Sequence, residues 1–361
     1  MWRAWREPMT EFRFDPSLAR AETLPSSYYV DTGTLEREQR EVFGRSWQLV
    51  GRTEQLARSG SYFTAAVAGE PLLVVRGKDD TVRALSNVCR HRAGPVACGE
   101  GQRPAFVCGY HGWSYALDGR LLGTPEFDGV ECFERGAVRL PEYRVETLGS
   151  LVFVNLDAAA PPLREVYGEI APLLESAPRD GFRLAARKDW FLDCNWKVYV
   201  DNYLEGYHIP IVHPSLHREL DYANYRTETK SWFSQQHAPV KRPERIRISD
   251  EEPEARYYWI YPNLMVNVYA DNFSTNLILP RGPRRTLTVF EWFFRDPDRR
   301  DDVEATISFS DEVQLEDIAI CEAVQRGLES PGYDRGRYSV ARENGVHHFH
   351  GLYWEAMGER R

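Results

Sequence analysis

The sequence predicts an α+β protein with two domains, and three observations support this. The chain has 361 residues, more than one hydrophobic core usually serves. Residues 46–157 contain short strands separated by Gly, Pro and Asp-Gly turns, which is typical of a small all-β domain. Beyond the Pro-containing stretch at 158–162, longer helical segments mix with strands. We therefore expect an all-β domain at 46–157, a mixed domain at 158–361, and an N-terminal segment at 1–45 that packs on the mixed domain.

The individual elements follow from local patterns of apolar and turn residues. Apolar residues at helical spacing predict helices, and apolar runs bounded by turn residues predict strands. The helix before Pro210 should stop ahead of this residue, because proline has no N–H to donate. In chain order the predicted elements are a helix at 34–47, a strand at 71–75, a hairpin turn at 116–120, a strand at 151–154, a helix at 195–207, a strand at 286–294 and a helix at 310–327.

Composition limits the possible functions. The formal net charge of −9 argues against nucleic-acid binding, which needs a basic surface, and mildly favours cationic substrates. No apolar run reaches the roughly 18 residues of a membrane helix, and the polar residues near the N-terminus lead us to expect no secretory signal. We therefore expect a cytoplasmic protein that does not bind membranes. Buried free thiols are expected at the cysteines outside the motif described next, which are Cys98, Cys132, Cys194 and Cys321.

Two short motifs carry the most chemical information. Cys89 and His91 are separated by one residue, and Cys108 and His111, which follow after sixteen intervening residues, are separated by two. The cysteine pair can hold one iron of a [2Fe–2S] cluster and the histidine pair the other, which is the Rieske pattern. A structural Cys2His2 zinc site is the alternative, but such sites usually pair Cys with Cys and His with His. The mixed pairs therefore favour the Rieske cluster.

A second metal site is predicted around His208 and His213. Two histidines and one carboxylate form the facial triad that holds Fe(II) and leaves three positions open. On a continuous helix, Asp201, Glu205 and His208 would be spaced i, i+4 and i+7 and would project from one face.

The third ligand of this site is expected on the helix at 310–327. Its predicted core-facing stripe is Val313, Asp317, Ile320, Cys321 and Val324, of which Asp317 is the only carboxylate. A buried carboxylate is costly unless it is paired or metal-bound. A helix shifted by one residue would instead turn Glu316 inward. A satisfied structural aspartate is the other alternative for Asp317.

With these motifs the chain resembles the oxygenase (alpha) component of the Rieske non-haem iron oxygenases over residues 43–350, and within that family the choline monooxygenase branch. The stretches that carry the resemblance are 87–92, 106–113, 201–208, 321–328, 336–338 and 345–350. The resemblance implies a Rieske domain followed by a catalytic domain with helices over an antiparallel sheet. Its motifs place a [2Fe–2S] cluster on Cys89, His91, Cys108 and His111, and Fe(II) on His208, His213 and Asp317, the Asp of a Glu-Asp-Ile sequence.

The resemblance also implies partners. A flavin and iron–sulfur reductase that uses NAD(P)H, or a ferredoxin, would supply electrons to the cluster, and O2 would be the co-substrate at the iron. The two metals that work together would belong to neighbouring subunits of a homotrimer. Glu205 would then bridge His208 to His91 or His111 of the next chain, although many members have Asp at this position. Asp201 could share or replace that role.

The substrate implied by the branch is a small quaternary or tertiary amine, such as choline, a betaine or carnitine, hydroxylated at a C–H bond. A permanent cation is usually held over aromatic faces. Two alternatives remain: an oxygenase for an aromatic ring or aryl ether, by dihydroxylation or demethylation, and a Rieske electron carrier without oxygenase activity. The three histidines of 347–350 are expected to be structural or exposed. Candidate cage residues are Tyr203, Tyr207, Trp259, Tyr261, Tyr269 and Phe273.

Overall fold

The computed structural model describes residues 12–176, 182–241, 254–269 and 272–358. These form two compact units, one of residues 43–176 and one that joins the N-terminal part to residues 182–358. The N-terminal part has the helices α1 (Ser27–Val30) and α2 (Thr32–Glu38), and α2 runs into a π-helical turn at Gln39–Phe43. The helix predicted at 34–47 thus begins two residues earlier, at Thr32, and its last turn, Gln39–Phe43, is π-helical instead of α-helical.

The unit of residues 43–176 is built mainly of antiparallel strands. They are β1 (Gln48–Arg52), β2 (Ser61–Val67), β3 (Glu70–Arg76), β4 (Val82–Ser86), β5 (Glu100–Gln102), β6 (Phe106–Val107), β7 (Ser114–Tyr115), β8 (Leu121–Gly123), β9 (Glu142–Leu148) and β10 (Leu151–Asn155). Seven of them form a sheet in the order β1-β10-β9-β4-β3-β2-β5, and β6, β7 and β8 form a smaller one. The strand β3 is buried on both faces: Leu73 packs with the core around Phe106, and Val74 packs with the core around Val152.

Residues 158–176, assigned to the second domain from the sequence, lie in this first unit. They form α3 (Leu163–Tyr167) and α4 (Ala171–Ser176). The ring of Tyr167 packs edge-on against Phe153 of β10 at 5.4 Å, and its hydroxyl donates to the carbonyl of Trp47 at 3.4 Å. Burial of these side chains, rather than the Pro-containing stretch, determines where the unit ends.

The other unit is a helix-covered antiparallel sheet. Its strands are β11 (Arg183–Leu192), β12 (Arg226–Thr229), β13 (Phe233–Pro239), β14 (Glu254–Ile260), β15 (Leu264–Val268), β16 (Asn272–Gly282) and β17 (Arg285–Phe294), in the order β11-β17-β16-β15-β14-β13-β12. Its helices are α5 (Trp196–Tyr203), α6 (Ile209–Val212), α7 (Pro214–Glu219), α8 (Arg300–Leu328) and α9 (Asn344–Ala356). The predicted α+β class, with one all-β domain and helices over an antiparallel sheet, is confirmed.

The helix predicted at 195–207 is wrong in its length, because α5 ends at Tyr203. The Glu205 carboxylate accepts hydrogen bonds from the backbone N–H groups of Tyr207 and His208, so it caps a new turn instead of continuing the helix. Pro210 then lies in the first turn of α6, where a missing N–H costs nothing. Asp201 and His208 therefore do not share one helix face.

Two smaller expectations also need correction. Cys194 and Cys321 are buried free thiols as expected, but Cys98 and Cys132 are exposed. Val324, placed on the core-facing stripe of α8, is 44% exposed, and the buried positions of that turn are Cys321 and Gln325. Within the described part of the chain, no helix is both long and apolar enough to cross a membrane.

Candidate metal centres and substrate cavity

The two Cys/His motifs of the first unit fold into loops with the same backbone hydrogen bonds. In the first loop the N–H of Cys89 donates to the carbonyl of Gly94 at 2.8 Å, and the Cys89 carbonyl accepts from Ala93 at 3.0 Å. In the second, Cys108 donates to Trp113 at 2.8 Å and accepts from Gly112 at 3.0 Å. Ala93 and Gly112 both have a positive φ, of 57° and 73°. This local likeness is not visible in the sequence, because the histidine lies at a different position in each loop.

The four side chains of these loops lie together and fit a Rieske cluster. The buried thiols of Cys89 and Cys108 are in contact, and burial together with this contact raises the pKa of Cys108. The rings of His91 and His111 lie 4.6 Å apart between centroids. The Nδ1 atom of His91 is buried without a hydrogen-bond partner among the described residues, which suits a nitrogen that binds a metal. Two cysteine sulfurs and two histidine nitrogens that lie close together form the donor set of a Rieske cluster.

Hydrogen bonds already reach the sulfur atoms. The Tyr115 hydroxyl lies 3.2 Å from the sulfur of Cys89, and the backbone N–H groups of Tyr110 and His111 contact that of Cys108. Donors of this kind stabilise a reduced, more negative cluster and so raise its potential.

In the other unit, His208, His213 and Asp317 form a compact set of possible metal ligands. One ligand atom from each lies within 4.8 Å of the others. The Oδ1 atom of Asp317 is 3.0 Å from Nε2 of His213 and 3.8 Å from Nε2 of His208. Asn202 also donates to this oxygen at 2.6 Å. Two imidazole nitrogens and one carboxylate match the facial triad of non-haem iron sites.

The second nitrogen of each histidine binds a glutamate. Nδ1 of His208 is 2.6 Å from Glu205, and Nδ1 of His213 is 2.7 Å from Glu316. Glu316, the alternative ligand, therefore contacts the opposite edge of the His213 ring from Asp317. It is not part of the group formed by His208, His213 and Asp317. Burial opposes protonation of His213, but the hydrogen bonds to Asp317 and Glu316 outweigh it and raise the pKa of this imidazole. Such carboxylates fix the tautomer and orientation of metal-binding histidines.

Asp201 lies in a different hydrogen-bond network. Its carboxylate accepts from the hydroxyl of Tyr29 at 2.7 Å and lies 3.0 Å from Nε2 of His350. The other ring nitrogen of His350 is 2.6 Å from the hydroxyl of Tyr338. Asp201 thus ties α5 to α9 and to the N-terminal helices and does not contact His208, and the buried His350 has a structural role.

A cavity of about 390 Å³ opens beside the histidines. Of the six aromatic candidates, only Tyr203 and Tyr269 line it. Tyr207 is 55% exposed, and Phe273 is on the opposite face of β16, stacked on Phe293 at 4.5 Å. Trp259 and Tyr261 pack against each other at 6.0 Å, and Trp259 also packs against Phe349 of α9. Sequence reasoning missed other residues of the wall, among them Tyr225, Tyr257, Phe290 and Trp292.

Comparison with known proteins identifies the family. Residues 46–134 match the Rieske [2Fe-2S] domain, and residues 180–359 match the ring hydroxylating alpha subunit (catalytic domain). The chain is 37% identical to chloroplastic choline monooxygenase of Arabidopsis thaliana, with 94% of this chain and 84% of that protein covered. It is 32% identical to the carnitine monooxygenase oxygenase subunit of Escherichia coli K12, with 91% and 92% covered.

Solved structures of Rieske oxygenases are also similar to this chain. The quaternary ammonium Rieske monooxygenase CntA in complex with L-carnitine superposes with a TM-score of 0.84 at 29% identity, covering 98% of this chain and 100% of that one. Naphthalene 1,2-dioxygenase from Rhodococcus shares the fold at 17% identity and a TM-score of 0.76, covering 93% and 94%.

The chain belongs to the Rieske non-haem iron oxygenases, in the branch that holds the choline and carnitine monooxygenases. It is an oxidoreductase that uses a Rieske [2Fe–2S] cluster, a mononuclear iron and O2. The electron-carrier alternative is therefore wrong.

Proposed function

We propose that this enzyme hydroxylates a C–H bond of a small quaternary or tertiary amine. The observation that carries the proposal is a group of four buried or half-buried tyrosines that line the cavity beside His208, His213 and Asp317. Burial raises the pKa of each phenol, so all four are neutral at physiological pH and can offer their ring faces to a cation. They are Tyr203, Tyr225, Tyr257 and Tyr269.

The charges of the cavity support the same substrate class. Three carboxylates line it, from Glu205, Glu219 and Asp317, while the described part of its wall has no lysine or arginine. An organic cation would be attracted there. An uncharged aromatic substrate would have no use for this field, so the amine is favoured over an aromatic ring or aryl ether.

We assign the metals to the residues that already lie together. Cys89, Cys108, His91 and His111 would hold the cluster, and His208, His213 and Asp317 the mononuclear iron. When bound, the cluster would supply single electrons, and the iron would supply O2 activation at its open positions. Glu205 and Glu316 would hold the imidazoles in the tautomer that presents Nε2 to the iron.

The assembly we propose is a homotrimer in which one chain's cluster serves the iron of the next. Exposed apolar residues lie close in the chain to the residues of both sites: Val107 and Tyr110 beside Cys108, and Ile211 and Leu315 beside His213 and Glu316. The first surface also carries Arg90 and Arg92, while Glu205 and Glu316 lie at the second, so the two are complementary in charge. Glu205 would join His208 to a cluster histidine of the neighbouring chain.

The reaction needs one O2, two electrons and two protons for each C–H bond converted to C–OH, with one water released. A separate NAD(P)H-dependent reductase or a ferredoxin would deliver the electrons, and the cytoplasm is the proposed location. Attack at an alcohol carbon gives a hydrate that collapses to an aldehyde. Attack at an N-methyl group gives a hemiaminal that loses formaldehyde.

The test is product formation by the iron-loaded protein with a surrogate reductase and a panel of choline, glycine betaine, carnitine, trimethylamine and simple aromatics. We expect O2 uptake to match aldehyde or formaldehyde released for at least one amine. A matched Asp317→Ala preparation measures the background. Coupled turnover of an aromatic compound alone would refute the proposal.

A further inference from the structure

Asn276 is a cavity residue with an unused hydrogen-bond acceptor. It lies on β16, where it pairs with Phe290 of β17 and Met265 of β15, so its immediate neighbours are apolar. The side chain lines the cavity, and the residue is only 5% exposed. Its Oδ1 atom is buried and has no hydrogen-bond partner in the described structure. Buried amide oxygens are nearly always paired, so this one needs an explanation.

Two other amides of the same wall have protein partners. Asn267 accepts from the Tyr203 hydroxyl at 2.8 Å and donates to Ser274 at 3.0 Å. Gln236 accepts from the Tyr225 hydroxyl at 2.5 Å and donates to the carbonyl of Tyr203 at 2.6 Å. These residues hold the tyrosines in place. The Oδ1 atom of Asn276 accepts no hydrogen bond from the described residues. A donor group on a bound molecule would supply the missing hydrogen bond.

The chemistry of the acceptor limits that molecule. A carbonyl oxygen pairs with a donor such as a hydroxyl, whereas a carboxylate has no hydrogen to offer it. The carboxylates of the cavity and the lack of lysine or arginine in its described wall also disfavour an anionic group. We propose that Asn276 accepts a hydrogen bond from the hydroxyl of a quaternary ammonium alcohol and so determines specificity within the amines. This inference depends on the proposed function.

Wild-type protein alone can test it. Choline and trimethylpropylammonium have the same shape, except that a methyl group replaces the hydroxyl. Calorimetric titration of the anaerobic, iron-loaded protein should give a Kd for choline about tenfold lower than for the propyl compound, the effect of one neutral hydrogen bond. The ratio of kcat/KM should favour choline by at least as much, because sites built around a hydroxyl reject analogues that lack it. Equal affinities would overturn the role of Asn276.

Two variants test whether the preference for choline over trimethylpropylammonium depends on Asn276. Asn276→Leu should remove the preference for choline and leave the propyl compound bound at least as well, whereas Asn276→Asp, which keeps acceptor oxygens, should retain the preference. Thr275→Val, on the opposite face of β16, is the control and should keep the wild-type ratio. Cluster absorbance and particle mass check that each variant is folded. If Asn276→Leu is misfolded, Asn276→Ala replaces it with the same expected ratio.

The remaining outcomes separate the two proposals. If no amine binds or turns over, the proposed function fails. If amines turn over but Asn276→Leu keeps the wild-type ratio, only the role of Asn276 fails. Tighter binding of glycine betaine than of choline would show that the amide presents its N–H groups to a carboxylate, and this would also overturn the inference.

Discussion

In the group of His208, His213 and Asp317, each imidazole has a carboxylate beside both of its nitrogens. His208 has Glu205 on Nδ1, His213 has Glu316 on Nδ1, and Asp317 faces Nε2 of both. The two glutamates differ in their surroundings: the Glu205 carboxylate also caps the turn before α6, while Glu316 projects from α8. A substitution at Glu205 therefore tests whether this carboxylate transmits electrons as well as orienting a ligand.

Glu205→Gln should keep both metals and the oligomer but slow turnover by roughly 10- to 100-fold, the usual effect of losing an outer partner of a metal-bound histidine. Glutamine keeps the length of the side chain but loses the charge that stabilises a protonated histidine. Stopped-flow mixing of the reduced variant with O2 and substrate should show slow reoxidation of the cluster. Asp201→Asn is the control, since Asp201 binds Tyr29 and His350 instead. A reoxidation defect in Asp201→Asn, with normal Glu205→Gln, would contradict the assignment.

At the scale of elements, α8 determines which carboxylate is the ligand. Consecutive helix residues point about 100° apart, so Glu316 and Asp317 can reach opposite edges of the same imidazole. Asp317→Ala should remove one iron per chain and abolish turnover, because one of three ligands is gone. Glu316→Ala should weaken iron retention by roughly 10- to 100-fold without emptying the site. Iron analysis after dialysis against a chelator measures both, and an unchanged cluster spectrum is the control. The reverse order of losses would make Glu316 the ligand.

The helix α9 should make stability depend on pH through His348. Burial lowers the pKa of this imidazole to about 4, and its Nε2 has no partner among the described residues. The folded-state pKa lies below the unfolded value of about 6.5. The contribution of neutral His348 to the free energy of unfolding is therefore complete above pH 6.5 and is lost as the pH falls towards 4. Between pH 7 and pH 5, wild type should lose about 2 kcal/mol more stability than His348→Asn in urea unfolding. Parallel losses in both proteins would show that His348 does not titrate in this range.

The sequence predicts the elements with strong periodicity, and the structure brings the candidate ligands with fixed spacing together, but features that depend on tertiary contacts are not visible in the sequence. The strand at 286–294 and the helix around Asp317 were found because their patterns are long. The break after Tyr203 was missed, because it depends on the Glu205 side chain bonding back to the chain. Phe273, a cage candidate in the sequence, packs on Phe293 instead. A sequence does not reveal which face of β16 lines a cavity.

For the whole molecule, the central question is whether electrons pass between chains. The exposed apolar residues near each site, with arginines on one surface and glutamates on the other, support a closed head-to-tail ring of identical chains. In such a ring, each working pair of metals would combine the cluster of one chain with the iron of the next. A chain without a cluster and a chain without an iron could then complement each other.

Mixed oligomers test this directly. A Cys89→Ala chain, which should lack the cluster, and an Asp317→Ala chain, which should lack the iron, would each form inactive homotrimers. Co-expressed with two different tags and purified through both, mixed trimers should regain activity. In every mixed trimer, whichever chain is present twice, one of the three interfaces combines an intact cluster with an intact iron, so the expected activity is about one third of wild type. Repeating the mixture with Glu205→Gln added to the Cys89→Ala chain should lower the recovered activity by the same factor of roughly 10 to 100, because that chain would supply the working iron and its bridge. Inactive mixed trimers in which the Asp317→Ala chain holds its cluster and the Cys89→Ala chain holds its iron would mean that electrons do not pass between chains.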